Sequence, residues 1–160
     1  MKYAILLMIL SVLPSAGSER EAPEPAAVFF ESVLGAWHGE GELLGAAAEF
    51  DMKWEKELGG RFVRLTYAIH AERGMEAIAH YRLGDSASLD GIWVDSRGEI
   101  LELSATATDS KLTTEWRSPT EKGRTVYEIV SPETLEVQDY YHDSSDYRLF
   151  GSASYSRIGE

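Results

Sequence analysis

From Trp37 almost to the C-terminus, apolar and charged residues alternate along the chain. Residues 50–55, read F-D-M-K-W-E, alternate without a break, and residues 61–70 repeat the pattern. Side chains of a β-strand point to opposite faces in turn, whereas one face of a helix returns roughly every 3.6 residues. The pattern therefore predicts a chain built of strands, each with one apolar and one polar face.

Turn signals divide the alternating region at intervals of about eight to fourteen residues, a rhythm typical of all-β proteins. Gly59-Gly60 is the strongest signal, because tight hairpin turns need residues with positive φ. The others lie at residues 44–45, 73–74, 84–86, 95–98, 109–110, 118–123, 131–132 and 142–146. We expect about ten antiparallel strands in an up-and-down meander that closes into a barrel, because closure removes exposed sheet edges. A β-sandwich is the structural alternative.

A short helix is expected before the first strand. Pro25 suits the first turn of a helix, residues 26–34 can form it, and Gly35 suits its C-terminal stop. Phe29 and Phe30 give this helix an apolar surface, so we expect it to pack on the barrel.

The region before the helix reads as a secretory signal followed by a leader. Lys2 precedes an apolar run at residues 4–13, and Ser15-Ala16-Gly17 is a small-residue cleavage site. The run is too short to span a bilayer. The predicted organisation is a signal peptide at residues 1–17, a disordered leader at 18–25 and one barrel domain at 26–160.

The net charge and the lack of cysteine limit which partners the protein can bind and which cellular compartment it can occupy. The net charge is −12, and removing residues 1–17 with their single Lys2 brings it to −13. An acidic surface of this size repels phosphate backbones and anionic lipid, so neither nucleic acid nor membrane partners are expected. The absence of cysteine excludes disulfides, thiolate metal sites and cysteine nucleophiles. Together with the signal, this predicts a periplasmic or secreted bacterial protein.

The charged residues mark the outward face of each strand. Because successive side chains point to opposite faces, odd or even position (parity) along the strand then assigns the inward face. Asp51, Lys53 and Glu55 point out, so their neighbours point in. By the same argument the inward set includes Phe50, Met52, Trp54, Leu58, Val63, Leu65, Tyr67, Ile69, Ala77, Ala79, Tyr81, Leu101, Leu103, Ala105, Ala107, Leu112, Thr114, Trp116, Tyr127, Leu135, Val137, Asp139, Tyr141, Tyr147, Leu149, Ala153, Tyr155 and Arg157.

The inward set mixes small alanines with aromatic residues and one carboxylate, Asp139. A filled barrel is normally packed with Leu, Ile and Val, whereas a ligand-binding barrel leaves space and polar groups inside. We therefore expect a small, partly apolar ligand. The alternative is that the tyrosines fill the interior. The expected binding residues are Trp54, Tyr67, Tyr81, Trp93, Trp116, Tyr127, Asp139 and Tyr141.

Gly35-Ala36-Trp37 at the start of the strands and Arg157 at their end resemble the calycin arrangement of lipocalins and fatty-acid-binding proteins. The resemblance implies that Trp37 closes one barrel end and that Arg157 packs on it. With L-G-G-R-F at residues 58–62 and W-x-D-S-x-G at 93–98, residues 34–158 are similar to a bacterial family of small, mostly uncharacterised calycin-like proteins. That similarity implies a fold and no established activity.

The opening G-A-W-H-G-E-G-E also resembles nitrobindin, a ten-stranded haem-binding barrel whose iron is held by a histidine near its C-terminal end. Here His142 is the last histidine, and it falls on outward parity, as do His38, His70 and His80. We therefore expect no haem and no other cofactor.

No catalytic motif stands out: the chain has neither a G-x-S-x-G elbow nor a glycine-rich phosphate loop, and we expect no enzymatic activity. His38, Glu40 and Glu42 share one strand face but are too widely spaced for one metal ion, so no metal site is expected. Asp139 is expected to bond to a tyrosine or to Arg157. Two alternatives stay open: an enzyme in which Asp139 and a tyrosine transfer a proton, and a ligand-free structural or interaction module. The oligomeric state is open.

Overall fold

The alternating residues form ten antiparallel strands in a computed structural model that describes residues 24–72, 74–84 and 88–159. Each strand pairs with the next in sequence, and the last pairs with the first, which closes the barrel and confirms the predicted fold class. The elements are α1 (Pro25–Val33), β1 (Gly35–Leu43), β2 (Ala46–Glu57), β3 (Phe62–His70), β4 (Met75–Arg82), β5 (Ser88–Asp95), β6 (Ile100–Ala107), β7 (Lys111–Arg117), β8 (Lys122–Ser131), β9 (Thr134–Asp143) and β10 (Asp146–Arg157).

The helix α1 begins at Pro25 and ends at Val33, one residue earlier at each end than expected. Leu34 is extended, and Gly35 has φ +110°, a conformation that favours glycine, as the chain turns into β1. Phe29 and Phe30 are fully buried, so the apolar face of the helix packs on the barrel as predicted.

The two ends of the barrel differ. The turns β1–β2, β3–β4, β5–β6, β7–β8 and β9–β10 lie at one end, which we call the open end. The helix and the other connections lie at the opposite end, which we call the closed end, because Phe30 covers its core there through ring contacts with Trp54 and Tyr81.

Three residues expected to point inward do not. Leu58 is 74% exposed, because it lies in a short turn at the closed end with φ +51° rather than on strand β2. A bulge between Leu149 and Gly151 reverses the parity of the first part of β10. Leu149 is therefore 53% exposed, and the Tyr147 hydroxyl donates to Glu115 on the outer face.

The expected signal peptide and most of the expected leader lie outside the described residues. In the ranges that are described, no helix is long and apolar enough to cross a membrane.

Candidate functional site

A cavity of about 550 Å³ occupies the open half of the barrel. Its deep wall comes from the strands, and its rim comes from the turns at the open end. The lining residues are Leu43, Leu44, Tyr67, Ile69, Gly74, Met75, Tyr81, Trp93, Arg97, Leu101, Thr114, Trp116, Glu121, Thr125, Tyr127, Val137, Asp139, Tyr141 and Phe150. The interior is therefore only partly filled by side chains.

Seven of the eight residues expected to bind a ligand line this cavity, and Trp54 does not. Trp54 is only 1% exposed, because Phe30 of α1 and the ring of Tyr81 pack against it with centroids 5.9 and 6.0 Å away. Tyr127 meets Trp54 edge-on at 5.4 Å. Tyr81 and Tyr127 thus form the floor of the cavity, and Trp54 belongs to the packed closed end beneath it. Tyr141 lies at the opposite extreme, at the rim, and is 41% exposed.

Asp139 is the acidic group on the inner wall. The Thr125 hydroxyl donates a hydrogen bond of 2.6 Å to Asp139 Oδ1. The prediction that Asp139 bonds to a tyrosine or to Arg157 is wrong. Among the described residues no tyrosine is hydrogen-bonded to Asp139, and Arg157 lies at the closed end. Burial raises the pKa of Asp139 to about 6, although the hydrogen bond from Thr125 opposes this. The other carboxylate oxygen, Oδ2, receives no hydrogen bond from the described chain, and Asp139 lines the cavity.

Four tyrosines in or beside the cavity, Tyr67, Tyr81, Tyr127 and Tyr155, are harder to ionise than usual. Burial raises the pKa of Tyr81 to about 12, although a hydrogen-bonding contact of 3.1 Å between its hydroxyl and Thr114 opposes this. Burial also raises the pKa values of Tyr67, Tyr127 and Tyr155, and the charge of Asp139 raises them further. These hydroxyls therefore remain protonated at neutral pH.

Trp93 is held on the cavity wall by the W-x-D-S-x-G segment. Its indole Nε1 donates to Asp95 at 3.1 Å, and its ring lies 5.7 Å from that of Tyr67. Asp95 also accepts 2.7 Å and 2.9 Å hydrogen bonds from the side chain and backbone of Arg97. Burial opposes ionisation of Asp95, but the bonds from Arg97 and Trp93 outweigh it and lower its pKa. The segment thus fixes an aromatic ring in the wall and a guanidinium at the rim.

The closed end is fastened by Trp37 and Arg157, whose backbones lie opposite each other on β1 and β10. The Arg157 guanidinium lies 4.2 Å from the Trp37 ring centroid, where the sequence predicted it. The same guanidinium donates to the carbonyls of Ser32 and Leu34 at 2.7 and 2.6 Å, and Trp37 Nε1 donates to Val33 O at 2.8 Å. Together these bonds satisfy carbonyls that the end of α1 leaves without helical partners.

The four histidines do not fit a haem ligand inside the barrel. His38 and His70 contact Asp51 at 2.9 and 2.7 Å, His80 contacts Glu57 at 3.0 Å, and His142 packs on Tyr147, all outside the cavity lining. No group of three His, Asp or Glu residues in the described ranges is arranged to hold a metal ion.

The sequence analysis assigned eight of the lining residues to neither the interior nor the binding site: Leu43, Leu44, Gly74, Met75, Arg97, Glu121, Thr125 and Phe150. The first six lie in the turns of the open end or beside them, and the last two lie on strands. Thr125 precedes Tyr127 by two positions on β8, so parity carried the signal that it faces inward. Phe150 enters the wall only because of the bulge in β10, which the alternation does not reveal.

No protein-family model matches the chain, and no curated protein matches it significantly. Among solved structures, the S-type phycobiliprotein lyase of Guillardia theta is similar at a TM-score of 0.59 and 9% sequence identity, over 85% of this chain and 94% of that one. A structure described as EF1p2_mFAP2b bound to DFHBI has a TM-score of 0.43 and 11% identity, over 84% of this chain and 98% of that one.

The first of these structures overturns the expectation that the chain is not an enzyme. A barrel with the same fold is a lyase, so the lack of a familiar catalytic motif does not exclude catalysis. At 9% identity the likeness itself extends to the fold alone. In architecture, the chain is a calycin-like barrel of ten strands with a helix across one end.

Proposed function

We propose that the protein binds a small, partly apolar molecule inside the barrel. The observation that carries the proposal is the cavity of about 550 Å³, which is reached from the open end and lined by aromatic rings, with the carboxylate of Asp139 on its inner wall. Ligand sites in proteins typically enclose about 300–1,000 Å³ and combine apolar walls with a few polar groups. The closed end offers no comparable space, because Trp54, Phe30 and Tyr81 pack against one another there.

A cavity-filling substitution tests this proposal. Val137 is buried on the cavity wall, so Val137→Phe places a ring in the space a ligand would occupy. We expect the affinity for Nile red, a neutral apolar dye that brightens when it leaves water, to fall by about tenfold or more. The measurement is a fluorescence titration at constant protein concentration, with folding of each variant checked by thermal unfolding.

Val94→Phe is the matched control, because Val94 is an exposed residue on the outer face of β5. The control should bind the dye as the unaltered protein does. If the dye does not bind, or binds equally to both variants, the cavity is not a binding site and the ligand-free module is the better description.

We further propose that the protein is exported and functions in the periplasm or outside the cell. Support comes from the sequence of residues 1–17, with its charged start, apolar run and small-residue cleavage site. In an exporting bacterial host, the purified protein should have the intact mass of a chain that begins near Ser18. A full-length mass in the cytoplasm would contradict export.

A further inference from the structure

Asp139 carries a charge that the protein itself does not neutralise. None of the ion pairs among the described residues includes Asp139, and its hydrogen-bond partner Thr125 is uncharged. The cation that lines the cavity, Arg97, is already paired with Asp95 at 2.7 Å, and Glu121 at the rim adds a further negative charge. An unpaired carboxylate in low-dielectric surroundings is costly, and a cation placed beside it removes that cost.

The walls around this carboxylate also favour positive charge. Tyr67, Tyr81, Trp93, Trp116 and Tyr127 line the same cavity, and the faces of aromatic rings attract cations. Tyr67 and Trp93 lie with their centroids 5.7 Å apart and form a continuous aromatic wall. Burial raises the pKa of Tyr67, and the negative charge of Asp139 raises it further.

We propose that the ligand is a hydrophobic organic cation, such as a protonated amine, whose charged group binds Asp139 Oδ2 while its apolar part packs on the aromatic wall. This inference rests on the proposed function and adds the chemical class of the ligand. Asp139 Oδ2 is the free acceptor for the ammonium group, and Thr125 fixes the orientation of the carboxylate by holding Oδ1. Asp139 would repel an anionic ligand, and a neutral ligand would leave the charge of Asp139 unpaired.

Three probes that share one ring system test the inference: 1-naphthylmethylamine, 1-naphthalenemethanol and 1-naphthoate. Calorimetric titration at pH 7.5 measures the affinity of the unaltered protein for each. We expect the amine to bind about tenfold or more tightly than the alcohol, because hydrogen bonds between charged groups are about twice as strong as neutral ones. Naphthoate should bind most weakly.

Asp139→Asn keeps the shape of the side chain and an oxygen that can accept from Thr125, but it removes the charge. In this variant the amine and the alcohol should bind within about twofold of each other. Asp109→Asn is the matched control, because it removes the same charge from an exposed turn at the closed end and should leave the preference unchanged.

The outcomes separate this inference from the proposed function. If the alcohol binds as tightly as the amine, or if the preference survives in Asp139→Asn, the cationic ligand is ruled out while binding in the cavity stands. If none of the three probes binds although Nile red does, the cationic ligand is ruled out and the proposed function stands. If Nile red does not bind either, the proposed function fails and the inference fails with it.

Discussion

At the scale of single residues, Asp139 is under conflicting demands. Its surroundings are aromatic and apolar, so the folded protein holds the Asp139 proton more tightly than an unfolded chain does, with a pKa of about 6 against the ordinary value of 3.8. Thr125 offsets only part of this cost through its hydrogen bond. In the absence of a ligand, Asp139 therefore destabilises the fold whenever it is ionised.

This predicts a pH-dependent effect of Asp139→Asn on stability. Above pH 6 the unaltered protein bears the cost of a buried charge, so the variant should be more stable there by about 3 kcal/mol, the free energy that corresponds to this difference in pKa. As the pH falls from about 6 towards 3.8, the folded protein takes up a proton before the unfolded chain does, and the difference should disappear. Urea unfolding of both proteins between pH 4 and pH 8 measures it.

Other carboxylates also titrate in this range, and the pKa values of Asp51 and Asp95 are lowered in the fold, so both proteins lose some stability in acid. The informative quantity is thus the difference between variant and parent at each pH. If the difference in unfolding free energy between variant and parent is constant from pH 4 to pH 8, ionisation of Asp139 does not destabilise the fold.

Residue placement could be predicted wherever strict alternation holds. Tyr67, Tyr81, Trp116, Tyr127 and Asp139 all lie on strands with a charged outer face, and parity put each of them on the cavity wall. Parity cannot tell how deep an inward residue lies, because depth depends on how the strands tilt and on what covers the barrel end. Trp54 was therefore assigned to the ligand although the helix packs against it.

At the scale of elements, the contact of α1 with the closed end depends on two side chains from opposite ends of the chain. Trp37 from β1 and Arg157 from β10 lie against each other, and both donate to carbonyls at the end of the helix. Strand pairing and helix attachment are therefore coupled at one place.

We predict that Trp37→Ala destabilises the protein by about 3–5 kcal/mol, as for other buried large aromatic residues. Arg157→Ala should cost less, and the double variant should be less destabilised than the sum of the two, because the first substitution already removes the shared cation–π contact. Chemical unfolding of the four proteins gives the coupling energy.

Arg117→Ala is the matched control, since Arg117 is an exposed arginine paired with Glu102 on the outer face. Its cost should be small and should add to that of Trp37→Ala. Strict additivity between Trp37 and Arg157 would show that their contact contributes no stability.

The predictions of strand ends and of inward residues were wrong where the backbone departs from regular strand geometry. The Leu58–Gly60 turn has positive φ values at all three residues, and the alternation of β2 gave no reason to expect Leu58 to leave it. The bulge at Leu149 likewise shifts parity by one residue without a distinctive local sequence. Both irregularities depend on the geometry of the neighbouring strands and hence on tertiary structure.

At the scale of the whole molecule, closure of the barrel could be predicted, because any exposed sheet edge leaves unpaired backbone groups and closure removes both edges. The cavity could only be suspected. Whether inward tyrosines fill a barrel or surround a space depends on its radius and on the position of α1. Here the helix fills the closed end and leaves the open half empty. One half of the barrel is therefore a packed core that stabilises the fold, and the other half is a cavity that can bind a ligand.

The bond from Arg157 to the helix also bears on how the protein reaches its final state. Ser32 and Arg157 are separated by 125 positions, and the ring of strands cannot close until β10 reaches β1. Contacts of such range form slowly, because chain entropy is lost before they can stabilise the structure. Until then β1 and β9 present unpaired edges, which are sites of aggregation. The interval of greatest risk during synthesis is therefore the one between the appearance of β9 and the docking of the last strand.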